Sequence, residues 1–104
     1  METPLKTAKM KLVTIIAAYE LEDRLVAELR ALKTSGFTVA KVNGYGAHGP
    51  RKYGILDGAN LRIETLVSQA QAGTLLRHLL DRYADLELVA YALDVEAIPH
   101  AHFA

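Results

Sequence analysis

Between residues 43 and 58 the chain reads NGYGAHGPRKYGILDG, a segment that holds five of the seven glycines in the protein. Gly44 and Gly46 flank Tyr45, and glycines so spaced let a backbone come close to a ligand with its N–H groups turned toward it. His48, Arg51 and Lys52 follow and supply side-chain donors. Together they outline a cradle for a phosphate or another anion, although a G-x-G on its own is a weak motif. Tyr53, Ile55 and Leu56 lie between Gly46 and Gly58. Apolar side chains exposed on such a loop suit capture of a partner. A plainer reading stays open: a bulged hairpin with solvated basic residues, its apolar side chains folded back on the domain.

Other candidate chemistry is thinner. His100-x-His102 offers two metal ligands near the end of the sequence, with His48 as a distant third; a zinc site needs three or four ligands in place. His78 sits beside Arg77 and reads as a surface or subunit-contact residue. Asp94 and Glu96 alternate on a strand, where an edge or interface role outweighs acid–base work. The absence of cysteine excludes disulfide scaffolds, thiolate zinc sites and thiol nucleophiles. Neither G-x-S-x-G, a phosphate-binding lysine loop nor H-E-x-x-H occurs. No catalytic residue and no metal ligand is therefore assigned.

The elements that must hold the glycine-rich segment follow from periodicity. Met10 to Ala18 is β-branched and nearly all apolar, as a central strand requires. From Tyr19 to Lys33 the period changes, and Leu21, Leu25, Val26, Leu29 and Leu32 share one helical face. Glu20, Glu22 and Asp23 favour the helix start, and Gly36 is the expected left-handed stop. Phe37 to Val42 alternates as a second strand, and Asn60 to Val67 as a third with Leu61, Ile63 and Thr65 on one face. Ser68 and Gln71 form a capping box for a second helix carrying Leu75, Leu76, Leu79, Leu80 and Tyr83. Leu86 to Val95 is the last strand.

The order β-α-β-β-α-β specifies an α+β, ferredoxin-like fold: a four-stranded antiparallel sheet with two helices on one face. At 104 residues the chain makes one domain over 10–98, with a leader over 1–9, a loop over 47–59 and a tail over 99–104. That loop is long, since a hairpin needs only two to five connecting residues. The uncovered sheet face also looks apolar, which points to an oligomer. Twelve basic residues balance twelve acidic ones, so the basic excess that bulk electrostatic binding to nucleic acid needs is absent, and an anionic membrane surface is disfavoured for the same reason. No stretch approaches the roughly 18 apolar residues of a membrane span, and Met1 to Lys11 has no signal-like apolar run. A cytoplasmic protein is expected.

KLVTIIAA at 11–18, SGFTVAKVNGYGAHG at 35–49, LRIETLV at 61–67 and VEAI at 95–98 resemble the PII and PII-like signalling proteins in kind and in order. The resemblance implies a homotrimer that binds adenine nucleotides in clefts between subunits and engages a target through the long T-loop. Residue by residue it places Thr38 on the adenine side, Gly44, Tyr45 and Gly46 along the nucleotide, Glu64 in the same cleft, and Arg51 and Lys52 near the phosphates. The glycine turn and arginine pair of PII proteins with longer loops are absent: Ala84-Asp85-Leu86-Glu87 and Pro99 to Ala101 stand there. The looser branches linked to bicarbonate uptake and to carboxysomes are closer. They imply ADP or AMP over ATP, in some cases bicarbonate, and a target such as a membrane transporter or a carboxysome-linked protein.

The resulting expectation is a non-enzymatic nucleotide sensor that acts through its loop in inorganic carbon metabolism. Thr38, Gly44, Tyr45, Gly46, His48, Arg51, Lys52 and Glu64 bind nucleotide, and Tyr53, Ile55 and Leu56 bind the partner. Two alternatives stay open, a small oligomeric enzyme of the same fold and a metal-binding protein built on His48, His100 and His102.

Overall fold

In the computed structural model the described residues are 6–45 and 58–98. They form β1 (Ala8–Ala18), a 3-10 turn (Tyr19–Leu21), α1 (Glu22–Ala31), β2 (Thr38–Gly44), β3 (Gly58–Val67), α2 (Gln69–Arg82) and β4 (Val89–Ala97). All neighbouring strands are antiparallel, and their order across the sheet is β2-β3-β1-β4. The expected ferredoxin-like architecture is therefore present. Its apolar β1 lies inside the sheet, paired on both sides, where continuous β-branched sequence fits best.

Strand alternation separates the two faces. Val13, Ile15 and Ala17 of β1 stand in register with Thr65, Ile63 and Leu61 of β3, and all six are buried. On this face α1 contributes Leu25 and Leu29, and α2 contributes Ala72, Leu75 and Leu79. Truncating such a leucine to alanine typically costs about 2–5 kcal/mol. Leu80, expected on the inner face of α2, is instead 69% exposed. Its neighbours Leu75, Leu79 and Tyr83 already fill the narrower inward stripe.

The ends of the helices differ instructively. Ser68 accepts from the Gln71 amide at 3.1 Å, and the Gln71 side chain accepts from the Ser68 amide at 3.1 Å. This reciprocal pair is the expected capping box. The α1 stop is different from the one expected. Lys33, with φ 58°, takes the left-handed position, and Gly36 does not. The Lys33 amide bonds to the Arg30 carbonyl at 3.1 Å while the Thr34 amide reaches the Leu29 carbonyl at 3.3 Å. This pattern closes a helix as a Schellman motif, three residues before the glycine.

β1 starts at Ala8, two positions before the expected strand, because its pairing with β4 runs out to Ala8↔Ala97. β4 begins at Val89 and not at Leu86. Leu86 and Leu88 spend their amides on Tyr83 and Leu86 carbonyls, both at 3.0 Å, so this stretch turns before it can join the ladder. Among the described residues no helix is long and apolar enough to cross a membrane.

Candidate functional site

The site is built on the face of the sheet that the helices leave open. Thr38 on β2 pairs with Glu64 on β3, Glu64 with Thr14 on β1, and Thr14 with Tyr91 on β4. Four polar residues thus make one row straight across the sheet. The next row toward the far end of the hairpin is apolar, with Leu66, Leu12 and Leu93 in register. Val89, Tyr91 and Leu93 remain 47%, 43% and 53% exposed on this face.

A groove of about 490 Å³ opens where the chain enters β2, lined by Leu12, Gly36, Phe37, Thr38, Glu64, Thr65 and Leu66. Its lining is mainly apolar, with Thr38, Glu64 and Thr65 as its polar side chains. The entering backbone is pinned, because the buried Thr65 hydroxyl donates to the Gly36 carbonyl at 2.6 Å. A mainly apolar groove that carries a hydroxyl and a carboxylate can hold a heteroaromatic ring and read its polar edge. The structure thus brings together Thr38 and Glu64, two of the residues expected to bind ligand.

From the groove the β2–β3 ladder runs to Gly44↔Gly58. Paired glycines there let the two backbones turn into the connecting segment with no side chain in the way. Tyr45 follows and is 85% exposed, so it is free to contact a ligand or a partner. Gly46, His48, Arg51, Lys52, Tyr53, Ile55 and Leu56 lie outside the described residues, as do His100 and His102.

Two cations near this hairpin escaped the reading of the sequence. Arg62 shares the open face with Glu64, its Nε 4.0 Å from the Glu64 Oε1. Period-two alternation along β3 places it beside Glu64, since residues two apart in a strand share a face, but gives it no ligand role. Lys41 lies on the opposite face with its Nζ 4.5 Å from the Tyr19 ring centroid. A hydrogen bond with the Tyr19 side chain, and then its negative charge when ionised, push the Lys41 ammonium above its ordinary value.

His78 also departs from expectation, because it ties the two helices together. Its Nε2 meets Glu28 Oε2 on α1, while Glu28 Oε1 lies 3.4 Å from the Tyr83 hydroxyl and 3.7 Å from Arg82 Nε. Arg24 covers the Tyr83 ring at 4.7 Å. Asp94, on the edge strand, pairs with Lys11 at 2.6 Å. Among the described residues no cluster of three histidine or acidic side chains could hold a metal ion.

Comparison with known proteins bears on this arrangement. The family model Nitrogen regulatory protein P-II matches residues 10–101. A Thermus thermophilus protein described as PII-like and signalling is 31% identical, with a TM-score of 0.78 over 96% of this chain and 100% of its own. CPII of Thiomonas intermedia K12, solved with ADP, AMP and acetate, is 20% identical, with a TM-score of 0.79 over 95% of this chain and 98% of its own. The same protein solved with ADP and bicarbonate gives 21% identity and a TM-score of 0.76, covering 90% of this chain and 93% of its own. None of the curated proteins searched matches the chain. Its strand order, its open-faced sheet and a family match running almost its full length agree: the chain belongs to the nitrogen regulatory protein P-II family.

Proposed function

We propose that the protein is a cytoplasmic homotrimer that senses adenine nucleotides, ADP and AMP ahead of ATP, in clefts between its subunits. The observation that carries this reading is the groove holding Thr38 and Glu64 on the sheet face that the helices leave open. A second subunit laid on that face turns the open groove into a closed cleft and covers Val89, Tyr91 and Leu93. CPII supports the choice of ligands, having been solved with ADP, AMP and bicarbonate. Thr38 and Glu64 hold the base, Gly44 to Gly46 run beside the nucleotide, and His48, Arg51 and Lys52 meet the phosphates.

Bound nucleotide then orders the T-loop, expected over 47–59 but ending before Gly58 where β3 starts, through charge-assisted contacts. The ordered loop presents or withdraws Tyr53, Ile55 and Leu56 from a target, such as a transporter or a carboxysome-linked protein, in inorganic carbon metabolism. Calorimetric titration with ATP, ADP and AMP, each with and without bicarbonate, tests the reading. Micromolar binding ranked ADP or AMP above ATP, strengthened by bicarbonate, is the expected result. Silence from all three nucleotides overturns it.

A further inference from the structure

Arg62 and Glu64 are the only charged residues that the strands place on the open face among the described residues. Their contact is loose. It runs through Nε at 4.0 Å, beyond hydrogen-bond length, with the side chains 48% and 39% exposed. An exposed pair of this kind contributes little to stability. An arginine so weakly engaged keeps its guanidinium fork available, and that fork matches the geometry of an oxyanion.

Its position gives the site a direction. Reading along β3 from the apolar groove toward the loop, Leu66 and Glu64 come first, then Arg62, then buried Asn60, and Gly58 at the loop root. Arg62 stands about 7 Å past Glu64 on the same face and about 13 Å short of Gly58. A ligand with its ring in the groove and an anionic tail pointing to the loop passes directly over it. A ring and a tail of opposite polarity need this order: apolar slot, carboxylate, cation.

We propose that Arg62 is the oxyanion-binding residue of the sheet face, releasing Glu64 to the neutral part of the ligand as it takes the anion. This rests on the nucleotide reading given above. The oxyanion is either the α- or β-phosphate of the nucleotide or a separate bicarbonate, since one guanidinium fork suits both. Before ligand binds, Arg62 and Glu64 neutralise each other on a face where the described strand residues carry no other charge. Ligand binding exchanges that loose internal pair for two external contacts.

The test titrates adenosine, AMP and ADP, and ADP with bicarbonate, into the wild type, Arg62→Gln and Arg62→Lys by calorimetry. Because the side chain is exposed, both variants are expected to fold, and circular dichroism checks this. If the anion is a nucleotide phosphate, Arg62→Gln weakens AMP and ADP about tenfold or more and leaves adenosine unchanged. Arg62→Lys then recovers part of the loss. If the anion is bicarbonate, Arg62→Gln leaves ADP alone unchanged and abolishes the gain from bicarbonate. Unchanged binding of every probe, or an equal loss for adenosine and ADP, overturns the role of Arg62 while leaving the cleft reading intact. A wild type that binds none of the probes overturns both.

Discussion

The Glu28 carboxylate on α1 and the His78 imidazole on α2 meet across the outer layer of the fold, fifty positions apart in sequence. The same carboxylate also faces the Tyr83 hydroxyl and the Arg82 guanidinium, so three donors from the end of α2 converge on one acid. Glu28 keeps only 15% of its side chain exposed. Its removal strands partly buried donors, which costs more than the net worth of any one contact. Glu28→Ala is expected to lower stability by about 1–3 kcal/mol. Thermal unfolding at fixed protein concentration reads this, because an oligomer's midpoint depends on concentration. A loss too small to measure would mean that water replaces Glu28 without penalty.

Alkaline pH strikes the same place. Burial disfavours the Tyr83 phenolate and the Glu28 charge repels it, so the phenol holds its proton above its usual 10.0 despite Arg24. The folded state therefore keeps a proton that the unfolded state releases, and stability falls as pH rises from about 10 upward. Lys41 acts with the same sign, its stabilising contribution being present below 10.5 and lost as pH climbs through its raised value. Urea midpoints measured on both sides of pH 10 should drop, and Tyr83→Phe should make the drop shallower. An equally steep drop in Tyr83→Phe would move the titration to another group.

Lys33 occupies a left-handed conformation that its side chain resists. Lys33→Gly is expected to stabilise the domain by about 0.5–1 kcal/mol, the gain being trimmed by the greater freedom of glycine in the unfolded chain. Gly36→Ala should be well tolerated, since a Cβ at that position meets no atom within 4 Å. Chemical denaturation of both variants separates the two positions. A destabilised Lys33→Gly would show that the lysine side chain holds its place by a contact.

Leu93 lies in the apolar row next to Glu64 and Thr14, and is 53% exposed. If second copies cover this face, Leu93→Asp sets a charge in each interface and the assembly dissociates. Native mass spectrometry at micromolar concentration should show trimer for the wild type and monomer for the variant. A trimer that survives would put the subunit contacts on another surface.

Much of this fold could be read before the structure, for reasons that are local. Alternation in Leu61, Ile63 and Thr65 fixes the inward face of β3, and the Ser68–Gln71 pair marks where α2 starts. The stop of α1 could not be read, because Lys33 has no intrinsic preference for the left-handed position that the local Schellman hydrogen bonds hold. Nor could the start of β4, where Leu86 and Leu88 are apolar enough for a strand but bond into a turn. His78 carries no signal of its own either, since its partner lies on another helix. At the candidate site, Thr38 and Glu64 were legible through the family pattern and are in fact paired across the strands. Arg62 lies within LRIETLV, and its face follows from counting by two, but nothing in the family pattern gives it a ligand. His48, Arg51 and Lys52 fall in the connecting segment outside the described residues.

The pairing of Gly44 with Gly58 has a consequence for how such a protein diversifies. Seven consecutive pairs, ending at that last rung, hold β2 on β3, and the groove lies six positions farther in at Thr38 and Glu64. Changes of length between Gly44 and Gly58 therefore leave the strand pairs that edge the groove in place. Doubling the length of such a connection costs only about 0.6 kcal/mol of closure entropy. Lineages can lengthen or shorten this segment around its ligand-contacting positions while the sheet beneath it stays unaltered.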